Sequence, residues 1–200
     1  MTLDRLRPVA DRALGPSVRA FDRVGATPDH VSLVAFGCAC IAGGWFVVGT
    51  PAAYLLGAAF VFANGWFDLV DGALARKQAV ASKQGDLLDH VLDRYADIVI
   101  VVGLAAGIEA YGLGLFAITG VLMTSYLGTQ AIAVGFDRVY GGLVGRADRL
   151  AIIGIVTVLM ASHSQPVGPL SFVGWLLVFL GVIGHLTAFQ RFWLAFRGLS

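Results

Sequence analysis

The chain has 200 residues, 58% of them hydrophobic and only 14% charged, with a formal net charge of +1 and a mean hydropathy of +0.79. Soluble domains average roughly a quarter charged residues, so this composition argues against a water-soluble enzyme, a disordered tail and a nucleic-acid-binding module. It describes an integral membrane protein.

Residues 1–28 carry Leu3, Leu6, Val9, Ala13 and Leu14 near helical spacing, with Arg5, Arg7, Arg12, Arg19 and Arg23 among them. That pattern predicts an amphipathic helix lying on the membrane surface. Thr27-Pro28 then breaks it, because proline disfavours helix at the residue before it. No cleavable signal is expected, since the first apolar run starts near residue 31 behind a charged segment.

Six apolar stretches follow and predict an all-α protein with six transmembrane helices. They are Val31–Val48, Ala52–Ala75, Leu87–Ile108, Leu113–Val134, Leu150–Ser162 and Val167–Phe189. A span needs about 20 apolar residues, so the fifth must borrow from Arg149 or from the Ser162-His163-Ser164 turn. The sequence thus divides into a surface segment, 1–28, and one six-helix domain, 29–200. Cys38 and Cys40, one residue apart in the first span, lack the spacing of a zinc site or a disulfide framework.

All 14 Lys and Arg residues sit before span 1, around the connection between spans 2 and 3, between spans 4 and 5 (Arg138, Arg146, Arg149), or after span 6. The opposite connections have none. The positive-inside rule then places both termini and the polar ends of spans 2 and 3 in the cytoplasm.

Those ends hold the candidate chemistry. Asp68 and Asp71 lie about 60° apart on one helix face, and Asp89 and Asp93 about 40° apart on the next. Two adjacent helices can therefore aim four carboxylates at one point. Each costs about 2.5–3.5 kcal/mol to place within a span and by default marks function. Oxygen-only ligation favours Mg²⁺ or Mn²⁺, which would also relieve the mutual repulsion. His90 sits about 100° from Asp89 around the helix and reads as a packing contact, as does His185. Asp97 continues the Asp89–Asp93 stripe and is suited to pairing with Arg94 or Arg149.

Residues 68–93 read D-x2-D-G-x2-A-R-x8-G-x3-D-x3-D. This resembles the signature of the CDP-alcohol phosphotransferases at every fixed position. The resemblance implies a membrane enzyme of phospholipid synthesis that moves a substituted phosphate from a CDP-linked lipid to an alcohol, releasing CMP. It implies metal ligation by Asp68, Asp71, Asp89 and Asp93 in a two-metal site, with Asp93 also the general base. Gly72, Ala75, Arg76, Ser82 and Gly85 would surround the CDP group. A homodimer is implied as well.

For the acceptor, Gly145–Leu150 and Leu186–Arg191 are similar to the corresponding regions of phosphatidylinositol-phosphate and archaetidylinositol-phosphate synthases. Arg146, Arg149 and Arg191 would then bind the phosphate of inositol 1-phosphate. The departure is in span 4, where no basic residue follows Ser125-Tyr126 within the span. Glycerol 3-phosphate or another alcohol is the alternative acceptor for the same chemistry. A carboxylate-lined ion transporter is the more distant alternative, though no second copy of the Asp-rich half supplies repeat symmetry.

Overall fold

Two Thr-Pro pairs start the first long helices of the computed structural model, which describes residues 7–80, 82–135, 144–163 and 165–199, with side chains from residue 13 onward. Thr27 Oγ1 accepts from His30 N at 3.3 Å and opens α2 (Pro28–Val48). Thr50 Oγ1 accepts from Ala53 N at 3.3 Å and opens α3 (Pro51–Gln78). In each, proline occupies the first turn, where its missing N–H costs nothing. Gly49 closes α2 in the left-handed region at φ 69°. Ser82 caps α4 (Lys83–Gly107) by accepting from Gly85 N at 3.0 Å. The remaining helices are α1 (Arg7–Arg23), α5 (Tyr111–Ala133), α6 (Arg146–Ser162) and α7 (Phe172–Gly198).

The packing forms a ring. α2 lies between α3 and α4, α4 meets α5, α5 packs on α7, and α7 returns through α6 to α3. Close approach depends on glycines at two seams. A Cβ on Gly43 would sit 2.6 Å from Val99 Cγ1, while Gly103 and Gly107 press against the α2 backbone at Gly43 and Phe46. Across the ring, Thr124 Oγ1 of α5 donates to Gly184 O of α7 at 2.8 Å. Small residues with an occasional hydroxyl are how helices associate where burial from water supplies little drive. The core built this way contains Phe46, Tyr54, Ile100, Leu104, Ile153 and Leu177.

α1 packs on α3. Leu14 and Val18 bury themselves against Val31, Val70 and Leu74, and Phe21 meets Phe67 edge-on at 5.9 Å. At its end Asp22 accepts from Lys77 Nζ at 2.6 Å and from Gln78 Nε2 at 3.0 Å. These two hydrogen bonds, Lys77 first, hold the Asp22 carboxyl below the ordinary aspartate range. Leu3, Leu6, Arg5, Arg138 and Ser164 lie outside the described residues, as do the side chains of Arg7, Val9 and Arg12.

Among the described residues, α2, α3, α5 and α7 are long and apolar enough to cross a membrane. The other two expected spans form helices, but α4 carries the charges of the Asp-rich stretch and α6 has 17 residues. The expected fifth span, now α6, does gain its extra turn from Arg146–Arg149. The last one departs from expectation at both ends. Val167 pairs with Leu170 across a turn with Gly168 at φ 66°, and Ser171 caps the helix. α7 then continues past Phe189 to Gly198.

Candidate active site

The last turns of α3 and the first half of α4 bring their carboxylates together. One oxygen each of Asp68, Asp71 and Asp89 lies within 4.8 Å of the others, a spread that a divalent ion can bridge. An all-oxygen donor set fits Mg²⁺ or Mn²⁺. Asp71 is oriented from α2, where Ser32 Oγ donates to Asp71 Oδ2 at 2.7 Å.

Asp93 lies beside this group, held by guanidinium groups. Arg146 Nη2 is 2.9 Å from Asp93 Oδ1, and Arg94 Nη2 is 3.6 Å from Asp93 Oδ2. Arg146 Nη1 donates to Asp68 Oδ1 at 2.6 Å, so one planar fork spans α3 and α4. Gly145 N donates to Asp148 Oδ2 at 3.0 Å and fixes the start of α6, from which Arg146 reaches inward. Asn64 connects the same fork to α2, accepting from Arg146 Nη2 at 3.4 Å and donating to Ala35 O at 2.9 Å.

Next to the carboxylates is a cavity of about 310 Å³, bounded by the N-terminus of α2, the end of α3 and the start of α4. Gly72, Ala75, Ser82, Gly85, Asp71 and Asp89 all line it. A Cβ on Gly72 would meet only Arg76 Nη1, at 3.5 Å, so no protein packing requires a glycine there. The missing side chain instead leaves the cavity wall open to a ligand. The same distance shows Arg76 folded back over Gly72. Ser82 Oγ uses a lone pair on the helix cap and keeps its proton for another acceptor.

Residues 26–186 match the family model for CDP-alcohol phosphatidyltransferase. The chain belongs to this family. An archaetidylinositol phosphate synthase from Methanothermobacter thermautotrophicus is 32% identical over 190 residues, covering 94% of this chain and 91% of that relative. The crystal structure of Mycobacterium tuberculosis phosphatidylinositol phosphate synthase with CDP-DAG bound matches at a TM-score of 0.79 and 27% identity, over 92% of this chain and 94% of its own. The same synthase in complex with manganese and citrate matches at 0.79 and 26%, over 92% and 88%. The protein is therefore a multi-pass membrane transferase of phospholipid biosynthesis, and the transporter reading is set aside.

The transferase keeps its three further arginines in different settings. Arg146 is committed to the carboxylates. Arg149 is buried and donates to Asp97 Oδ2 at 2.7 Å. Arg191 Nη1 donates to Thr124 O at 2.6 Å and passes over Gly128, where α5 has no side chain to block it. Asp97 pairs with Arg149 and lies 3.8 Å from Arg94 Nη1, while Arg94 also bonds to Ser125 Oγ. His90 Nδ1 is 2.7 Å from the carbonyl of Asp86 on its own helix. His185 stacks on Phe116 at 5.1 Å and contacts Thr119.

Several site residues lie outside the Asp-rich signature. Ser32 has no spacing that ties it to the aspartates, whereas Asn64 precedes Asp68 by four residues and Asp71 by seven, on the same face of α3, a signal that could have marked it. Thr27, Pro28 and Asp29 join the cavity only because α2 packs beside the α3–α4 connection. Gln78 lines the same cavity.

Proposed function

We propose that this transferase joins the substituted phosphate of CDP-diacylglycerol or CDP-archaeol to inositol 1-phosphate, releasing CMP. The carrying observation is the convergence of Asp68, Asp71 and Asp89 at the edge of a cavity of about 310 Å³ whose wall is bare at Gly72 and Gly85. Mg²⁺ or Mn²⁺ held by Asp68, Asp71, Asp89 and Asp93, in a two-ion arrangement, would neutralise charge on the attacking and leaving oxygens. Gly72, Ala75 and Gly85 leave room for the cytidine diphosphate, and Arg76 and Ser82 supply donors to it. Asp93 takes the proton of the acceptor hydroxyl as that oxygen bonds to the lipid-side phosphorus. The bridging oxygen departs with CMP.

Arg146, Arg149 and Arg191 are assigned to the acceptor's own phosphate, which the reaction leaves untouched; Arg146 would reach it by turning from Asp68 and Asp93, which the metal then holds, and Arg149 while still paired with Asp97. Inositol 1-phosphate is favoured by the likeness to the archaetidylinositol phosphate synthase along most of the chain. The absence of a basic residue after Ser125-Tyr126 within α5 favours the second reading, glycerol 3-phosphate or another alcohol in the same pocket.

In the membrane, residues 29–200 form the catalytic domain. α2 to α7 make six spans, with α4 and α6 shielded by their more apolar neighbours. The amphipathic pattern of segment 1–28 supports a place on the cytoplasmic surface, and the arginine placement supports the same side for both termini and the cavity. Assembly as a homodimer rests on the family resemblance.

The test supplies inositol 1-phosphate, glycerol 3-phosphate, free inositol and serine separately, with a CDP-lipid and Mg²⁺, and follows CMP. Turnover is expected with inositol 1-phosphate first and glycerol 3-phosphate second. Efficient turnover with serine or free inositol alone refutes the phosphate pocket.

A further inference from the structure

We infer that Gln78 is the residue by which this transferase distinguishes a cytosine base from a uracil base, and that Asp22 of α1 locks it in the reading orientation. The inference rests on the reading above, in which the cytidine group fills the cavity beside the carboxylates.

An amide side chain has two faces, one that donates and one that accepts, and free rotation would let it serve either base. Here the choice is fixed by its neighbours. Gln78 Nε2 donates to Asp22 Oδ1 at 3.0 Å and to Ala26 O at 3.1 Å. A carboxylate and a carbonyl can only accept, so the reverse orientation would set Gln78 Oε1 against two acceptors. Asp22 is itself tied to α3 by Lys77 Nζ at 2.6 Å. Both amide protons are thus committed away from the ligand. Oε1 remains, without a protein donor among the described residues, on a side chain that lines the cavity.

A fixed acceptor at that wall matches the exocyclic amine of cytosine. Uracil carries a carbonyl oxygen at the corresponding position, and would place acceptor against acceptor. Sites built to hydrogen-bond one group reject the analogue lacking it far more strongly than apolar pockets reject an extra methylene. The arrangement also gives α1 a part in substrate choice, since the residue that orients Gln78 comes from that helix and not from α3 or α4.

The experiment titrates CMP and UMP, with Mg²⁺, into the full chain in nanodiscs and compares Gln78→Leu, Asp22→Ala and Gly72→Val with the unaltered protein. Gln78→Leu removes the acceptor, so CMP should bind about tenfold or more weakly while UMP, no longer facing Oε1, binds as well or better. Asp22→Ala removes one of the two acceptors that hold Nε2, so the amide turns more readily and the CMP preference should shrink chiefly because UMP binds better. A merely structural role for the Asp22–Gln78 contact would weaken both nucleotides together. The inference is overturned if the ratio of CMP to UMP affinity is unchanged in both variants while Gly72→Val abolishes CMP binding. If Gly72→Val binds CMP like the unaltered protein, the cavity reading falls first and takes the inference with it.

Discussion

Removing one hydroxyl from α2 should loosen the metal site on α3 and α4. Ser32 Oγ donates to Asp71 Oδ2 at 2.7 Å, and both residues are buried, at 7% and 6% exposure. A hydrogen bond to a charged group contributes about 1.5–3 kcal/mol, equivalent to roughly 13- to 160-fold in an equilibrium constant. The hydroxyl also has Pro28 O within 3.2 Å as a competing acceptor, which lowers the net worth of its bond to Asp71. Loss of a partner that orients a metal ligand typically costs about 10- to 100-fold in affinity. Ser32→Ala should therefore raise the Mn²⁺ dissociation constant about 10- to 100-fold, read from the spin resonance of free Mn²⁺ in detergent solution. The concentration of Mg²⁺ needed for half-maximal turnover should rise in parallel, with kcat at saturating metal much less affected. Ser32→Thr keeps the donor and should recover most of the affinity. An unchanged Mn²⁺ dissociation constant in Ser32→Ala would show that Ser32 does not orient Asp71 for the metal.

Asp93→Asn should reduce turnover by about a hundredfold or more, since an amide cannot take the acceptor proton, while CDP-lipid binding by filter assay is largely retained. Arg191→Ala should raise the acceptor KM about tenfold through loss of one charge-assisted contact, with the KM for CDP-lipid little changed. Gly43→Ala forces a methyl to within 2.6 Å of Val99 Cγ1 and 2.7 Å of Val99 O, so α2 and α4 must separate. It should lower stability by about 1–3 kcal/mol, seen as a lower midpoint of thermal unfolding in detergent.

The carboxylate site was legible because its information is local. Asp68 and Asp71, and Asp89 and Asp93, are placed on their faces by helical pitch alone, although the two helices do not pack side by side as expected but meet through α2, which lies between them. Apolar runs likewise marked six of the seven helices among the described residues. What escaped depends on reach and packing. The start of α7 was misplaced because Val167 and Leu170 are apolar yet close a turn around Gly168-Pro169. Its end was placed too early because Arg191 reads as the membrane boundary, although a helix need not stop where the bilayer does. Ser32 lies 39 positions from Asp71 on another helix, so no local spacing links them, whereas Asn64 lies four before Asp68 on the same face of α3 and was open to reading from that spacing. Arg146 belongs to an Arg-x2-Arg pair that topology alone explains, and only the seating of α6 on α3 shows its fork between Asp68 and Asp93.

The proposed chemistry requires α3 and α4 to share a divalent cation at the edge of the nucleotide cavity. Crystals of the full chain grown with Mn²⁺ and CMP test it through the anomalous signal of the metal. A peak is expected at ligand distance from Asp68, Asp71 and Asp89, with the CMP phosphate on its open side and the ribose against Gly72 and Gly85. A peak remote from these carboxylates, or CMP bound elsewhere with the cavity empty, would contradict it.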